Sequence, residues 1–291
     1  MKIIQVSKTL PPISMGFTEL GHEVVKVTLR QGEKGIVREI RKHNPDLVIF
    51  HKMSDKSPWV TKEISRKYRT WFWFADLFQV VRNGEENIIQ NARNCHYRSC
   101  PSPIPAKQLR EKTGKDVHII PNVTPVTLGY TRAHGVEQTT DYGFLGTKTK
   151  WRQKSLTAIC HGHTLLCHGG GYPKGKVNGP SWSEAVAKTR IQINIPQYER
   201  WPATLSSRSY RILSCGGLLL SQWSEDFEGM LKSDEHFVAF KNAKDGRAKG
   251  EYYLKHETER REIARRGERF VMENYLPVHV AQKMLEVVNG S

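Results

Sequence analysis

Short apolar runs separated by longer, polar, helix-like stretches recur along this chain, and that alternation is what most limits the folds open to it. Residues 2–7, 24–29, 47–50, 71–74 and 117–120 are continuous apolar runs of strand length, which predicts buried strands. Between them 35–43 and 57–69 predict helices; Pro45-Asp46 stops one element, and Ser57-Pro58 suits a helix start. Such alternation specifies a parallel sheet covered on both faces. The pattern lapses over 121–139, where prolines, threonines, Gly129 and Gly135 keep no period. It then resumes: strand Tyr142–Leu145, helix 151–159, strand 164–167, helix 181–189, strand 191–195, helix 206–214 and strand 217–221. A strand at 236–240 and helices near 249–255, 257–272 and 277–288 follow. At 291 residues there is material for two domains with cores of their own, expected over 1–130 and 131–276, with 277–291 a helix returning to the first. Ligands of such sheets sit beyond the carboxyl ends of the strands.

Charge narrows the partners. The formal net charge is +16, and it is uneven. Residues 1–130 hold 21 Lys/Arg against 12 Asp/Glu and residues 141–210 hold 10 against 3, while the last 81 residues balance at 13 each. A field of that sign draws polyanions and phosphate-bearing small molecules, although a basic surface also serves solubility alone. Trp59, Trp71, Trp73 and Phe78 add aromatic faces suited to nucleic acid. No stretch reaches the roughly 20 apolar residues of a membrane span. Met1–Val6 reads as a strand rather than a signal peptide, and five irregularly spaced cysteines predict reduced thiols in a cytoplasmic setting.

Several strand ends carry candidate chemistry. Gly146 follows the strand ending at Leu145, with Arg152 near the next helix start; Gly169-Gly170-Gly171 follows His168. Glycines let a ligand press on the backbone, though each cluster also suits a plain turn. Ser206-Ser207-Arg208-Ser209-Tyr210 opens a helix with hydroxyls, amides and a guanidinium, a cradle for phosphate or simply a capped helix. Asp76 and His51, at strand ends of the first half, are the candidates for a base that takes a proton from a hydroxyl, or else structural groups. Cys160-His161-Gly162-His163 and Cys167-His168 invite a zinc reading, but the segment is needed as a buried strand, so no metal site is expected.

The run Ser207-Arg208-Ser209-Tyr210-Arg211-Ile212-Leu213-Ser214-Cys215-Gly216-Gly217 resembles the block "SR-aromatic-E-I-x-x-C/A-G-G" of CgeB-like, group-1 glycosyltransferases. Tyr142-Gly143-Phe144-Leu145-Gly146 with Arg152 is similar to that family's "FVG…R" segment, and the likeness extends to about residue 275. The resemblance implies a GT-B architecture, two facing Rossmann-like domains with a cleft between them. It implies donor contacts at Gly146, Arg152, Gly170, Gly171, Ser207, Arg208, Tyr210, Arg211, Gly216 and Gly217. It implies no obligatory metal or cofactor and a nucleotide diphosphate sugar, UDP-sugar first, as co-substrate. Arg211 stands where the family carries a Glu that holds the donor ribose, which points to an altered donor or a second phosphate contact.

Charge and resemblance together lead to an enzyme that transfers a sugar to a hydroxyl, with a hydroxymethylated pyrimidine of double-stranded DNA as the leading acceptor. A polysaccharide, a protein or a small molecule is the alternative acceptor. A non-catalytic DNA-binding protein on a degenerate scaffold is the alternative of another class.

Overall fold

A computed structural model describes residues 1–8, 12–53, 56–81, 83–123 and 132–290. The chain divides into two compact units, Met1–Val123 with Leu276–Ser291, and Thr124–Tyr275. Much of the expected break at 121–139, including its 130/131 boundary, lies outside the described residues.

The first unit runs β1 (Lys2–Ser7), α1 (Ile13–Glu19), β2 (Glu23–Thr28), α2 (Glu33–His43), β3 (Leu47–His51), α3 (Pro58–Ser65), β4 (Arg69–Trp73), α4 (Glu85–Asn94), β5 (Tyr97–Cys100), α5 (Pro103–Thr113) and β6 (His118–Ile119). All neighbouring strands are parallel, in the order β2-β1-β3-β4-β5-β6. Order reverses between β1 and β3, and a cleft opens at such a switch point in sheets of this kind. Ile4, Val6, Val48, Phe50 and Phe72 point to one face, and Ile3, Leu47, Ile49, Trp71 and Trp73 to the other. That two-sided burial is why the strands read as unbroken apolar runs.

Three of the aromatics expected on a nucleic-acid surface are therefore core: Trp71, Trp73 and Phe78 are 0%, 5% and 6% exposed, and Trp59 alone is open at 43%. The second face is closed by α1 and by α11 (Pro277–Asn289). These two helices touch at Gly16, where a Cβ would lie 2.0 Å from the Pro277 carbonyl oxygen.

The second unit runs β7 (Thr140–Leu145), α6 (Lys150–Ile159), β8 (Leu165–His168), α7 (Gly179–Ala187), β9 (Thr189–Asn194), α8 (Ser207–Ser214), β10 (Leu218–Gln222), β11 (Val238–Phe240), α9 (Ala243–Lys255) and α10 (Glu257–Asn274). Its parallel sheet has the order β11-β10-β9-β7-β8, reversing between β7 and β9. Tyr142, Phe144, Ile191 and Ile193 pack on one side; Tyr210, Leu213, Leu219 and Phe237 pack on the other. Among the described residues, no helix is long and apolar enough to cross a membrane. None of the five cysteines forms a disulfide, and four of them are buried.

Candidate active site

At the second unit's switch point the chain collects positive charge. The Arg208 side chain projects from the first turn of α8 and spans the gap between β7 and β9. One Nη donates to the Leu145 carbonyl at 3.0 Å and the other to Asn194 Oδ1 at 2.5 Å. Asn194 is oriented by donating to Ser221 Oγ at 2.8 Å. Burial, and then the charge of Arg152, pull the Arg208 pKa down to about 9, so it remains a cation at neutral pH. Its Nε is buried without a partner.

Arg152 lies over the same Phe144 ring, at 5.2 Å against 5.6 Å for Arg208. Its donors are taken by the carbonyls of Thr147, Ile195 and Pro196. Among the described residues neither guanidinium has a carboxylate within ion-pair distance. Two desolvated cations side by side are costly unless an anion joins them.

Beside Arg208 lies a recess of about 190 Å³, partly open to solvent, walled by Gly146, Thr147, His168, Gly169, Gly170 and Lys176, with Trp182 at its side. A Cβ on Gly146 would come within 2.6 Å of an Arg208 Nη. The two glycine loops are tied by Gly146 N–H to the His168 carbonyl (2.8 Å) and Lys148 N–H to the Gly170 carbonyl (2.8 Å). Arg211 stacks on the Trp182 ring at 4.0 Å. A guanidinium only donates, so it cannot accept hydrogen bonds from ribose hydroxyls as a Glu does. Ser207 is exposed at the start of α8. Loop 203–206 is held in place by Asp226, which accepts from Leu205 N–H at 2.7 Å, and by Ser224, which bonds the Ala203 carbonyl.

Four residues expected at the donor stand elsewhere. Tyr210 is fully buried, its ring 4.9 Å from Tyr275, because it is on the core face of α8. Gly216 and Gly217 follow the far end of α8 and precede β10, at the amino ends of the strands. Gly216 there takes φ +70°, and a Gly217 Cβ would lie 2.8 Å from Val186. Gly171 borders Lys148 rather than the recess, whose wall is Gly169-Gly170. Asn194, Trp182, His168 and Asp226 were not legible as site residues: single polar or aromatic residues in apolar surroundings give no pattern. Among the described residues no cluster could hold a metal ion; His163 lies 3.6 Å from Asp141 and Cys160 is buried.

The first unit presents different chemistry at its own switch point. Ser7 and His51 end β1 and β3, and His51 is in register with Trp73 on β4. Ser7 Oγ, His51 Nε2, Trp73 Nε1 and both amide atoms of Gln5 are buried without hydrogen-bond partners. His51 stacks on Trp73 at 5.5 Å. Lys52 and Met53, just beyond it, take left-handed backbone (φ +64° and +47°), strain that gathers at functional sites. Asp76, past β4, is ion-paired with Lys52.

Burial lowers the His51 pKa from 6.5 to about 3, so the imidazole is neutral at pH 7. The folded value lies below the unfolded one. Between pH 6.5 and about 3 the unfolded chain therefore binds the extra proton, and stability falls with pH. The expected loss between pH 7 and pH 4.5 is about 2–3 kcal/mol. His51→Gln should flatten that slope in urea titrations across this range; an unchanged slope would assign the acid sensitivity to other groups.

Two Rossmann-like units, one with an uncompensated cationic recess at its switch point, have the fold found in GT-B glycosyltransferases. Residues 150–286 match the model of a family described as glycosyl transferase-like. Its fold matches sucrose-phosphate synthase from Thermosynechococcus elongatus with a TM-score of 0.75 at 11% identity, covering 100% of this chain and 99% of that one. It matches Anabaena HepE, solved with UDP-glucose, with a TM-score of 0.72 at 12% identity over 100% of both chains. An alpha-glucosyltransferase solved with UDP-glucose and DNA containing an abasic site matches with a TM-score of 0.66 at 9% identity, over 99% of each chain. No curated protein matches in sequence.

Proposed function

We propose that the second unit binds a nucleotide diphosphate sugar, UDP-sugar first, and that the first unit binds the hydroxyl acceptor. The observation that carries the donor reading is Arg208, a partly buried guanidinium without a carboxylate, bridging β7 and β9 beside a glycine-walled recess. A diphosphate there supplies the missing negative charge, and Lys176 and His168 line the same space. UDP and UDP-glucose in the solved neighbours support this choice of donor. With Arg211 in place of a carboxylate, the ribose is held by other groups, or Arg211 takes a phosphate. On the acceptor side, Asp76 and His51 are the candidates to take a hydroxyl proton; the Asp76 carboxylate is engaged by Lys52, and burial leaves the His51 imidazole a weak base. No metal or further cofactor is required by this scheme.

The acceptor is a hydroxymethylated pyrimidine in double-stranded DNA. Support comes from the net charge of +16 and from the neighbour solved with UDP-glucose and DNA. Contact with about five phosphates implies a log–log salt slope near −4.5, a loss of roughly five hundred-fold in DNA affinity between ~50 and ~200 mM salt. Donor binding, measured in parallel, should change far less. Binding alone does not identify an acceptor, so the deciding assay offers labelled UDP-sugars with duplexes carrying hydroxymethylcytosine, hydroxymethyluracil or unmodified bases. Label on the hydroxylated duplexes alone supports the reading. Label only on glycan or protein sinks it, and donor binding without transfer to any acceptor makes the chain a binding protein.

A further inference from the structure

The second unit has another recess, a shallow hollow partly open to solvent, at the opposite end of the same sheet. Gln138 precedes β7, Arg190 is near the start of β9 and Gly216 precedes β10, so it lies at the amino ends of the strands. A strand length of ~20 Å separates it from the donor recess. The α10 helix supplies Arg260, Arg261 and Arg265 to its lining, which places four guanidiniums around one hollow. The lining holds one carboxylate, Glu268, and that is ion-paired with Arg132.

Arg260 is the centre of the argument, because its side chain is only 3% exposed. It donates to Gln138 Oε1 at 3.1 Å, and its carboxylate neighbour is Glu257 at 3.8 Å. Glu257 is itself 58% exposed and bonded to Arg261 at 2.6 Å. Burial lowers the Arg260 pKa, Glu257 opposes that fall, and Arg190 and Arg261 add to it. The remaining pairs, Arg190 with Asp141 at 3.4 Å and Arg265 with Glu262 at 4.0 Å, are half-exposed and worth little. A merely solvated helix face has no cause to bury one guanidinium beside two others.

We propose that this recess is a second oxyanion site, separate from the donor recess, for a small molecule carrying adjacent phosphate groups. Four planar forks around one concavity exceed what a single phosphate can occupy and match a diphosphate or bisphosphate. The inference does not depend on the donor assignment.

Calorimetry of the full chain with inorganic diphosphate tests it. Two sites per chain are expected. Arg261→Glu with Arg265→Glu, both on exposed side chains, should weaken one site about tenfold or more and spare the other. Arg208→Met should do the converse. A single site, lost in Arg208→Met and indifferent to the double substitution, overturns the proposal. So does a double-sensitive site that takes a short DNA duplex but not diphosphate. Two sites of which neither responds to Arg208→Met, one being lost in the double variant, would remove the donor assignment and leave this one standing.

Discussion

Arg208→Met is expected to abolish sugar transfer while the fold stays intact. The guanidinium forms hydrogen bonds to Leu145 O and Asn194 Oδ1, and its Nε is buried and unpaired beside the recess. Each charge-assisted bond to a diphosphate is worth about 1.5–3 kcal/mol. Losing one such bond weakens donor affinity roughly ten- to a hundred-fold. Stabilising the departing diphosphate adds to this in the transition state, so turnover should fall by a further ~10²-fold or more. Stability moves differently. Methionine removes a desolvated cation that has no carboxylate, a gain, but leaves Leu145 O and Asn194 Oδ1 one donor short, a loss of similar size. The two nearly cancel, and the melting temperature should shift by only a few degrees. Arg208→Lys keeps the charge but not the fork, so it should recover part of donor binding. Unchanged UDP-sugar affinity in a folded Met variant would reduce Arg208 to a strap between two strands.

How far this was readable from the sequence follows from what each residue touches. Strands buried on both faces announce themselves as unbroken apolar runs, and β1, β3, β7, β9 and β10 fall where such runs occur. By contrast β5 was not legible: Tyr97-Arg98-Ser99-Cys100 reads as polar. Its Arg98 is nevertheless buried because the guanidinium donates to the carbonyls of Ala92, Cys95, His96 and Asp116. Helices α4 and α5 escaped for a related reason, their apolar stripes being narrow and interrupted by Asn91 and Thr113, which are buried with hydrogen-bond partners. In the site, Arg208 was legible from its place at a helix start. The orphaned row of Ser7, His51 and Trp73 was not. Three residues on three strands become neighbours only through strand order and register, which residue spacing within one strand does not reveal.

The same limit explains why the glycine that matters most at the recess is Gly169. Its φ is +141°, and a Cβ there would lie 1.9 Å from the Gly146 carbonyl oxygen and 2.5 Å from its carbon. Both obstacles are backbone, so no side-chain rotation relieves them; the loops after β7 and β8 must part. That parting strains the 2.8 Å bonds from Gly146 N–H to His168 O and from Lys148 N–H to Gly170 O, which close the recess. Gly169→Ala is therefore expected to cost about 3 kcal/mol or more, from backbone strain and overpacking together. In a unit of this size the melting temperature should fall by roughly 6–12 °C. UDP-sugar affinity should fall with it, since the wall next to Arg208 is displaced. The neighbouring glycine supplies the control. At Gly170 the backbone is not left-handed and the nearest atom to a new Cβ is 3.6 Å away, ordinary contact, so Gly170→Ala should leave the melting temperature nearly unchanged. Thermal denaturation and calorimetry of the two alanine variants side by side decide the matter. Equal losses at both positions would mean that the recess is sensitive to any added bulk. A large loss at Gly169 alone would show that backbone contact between the two loops is what shapes it.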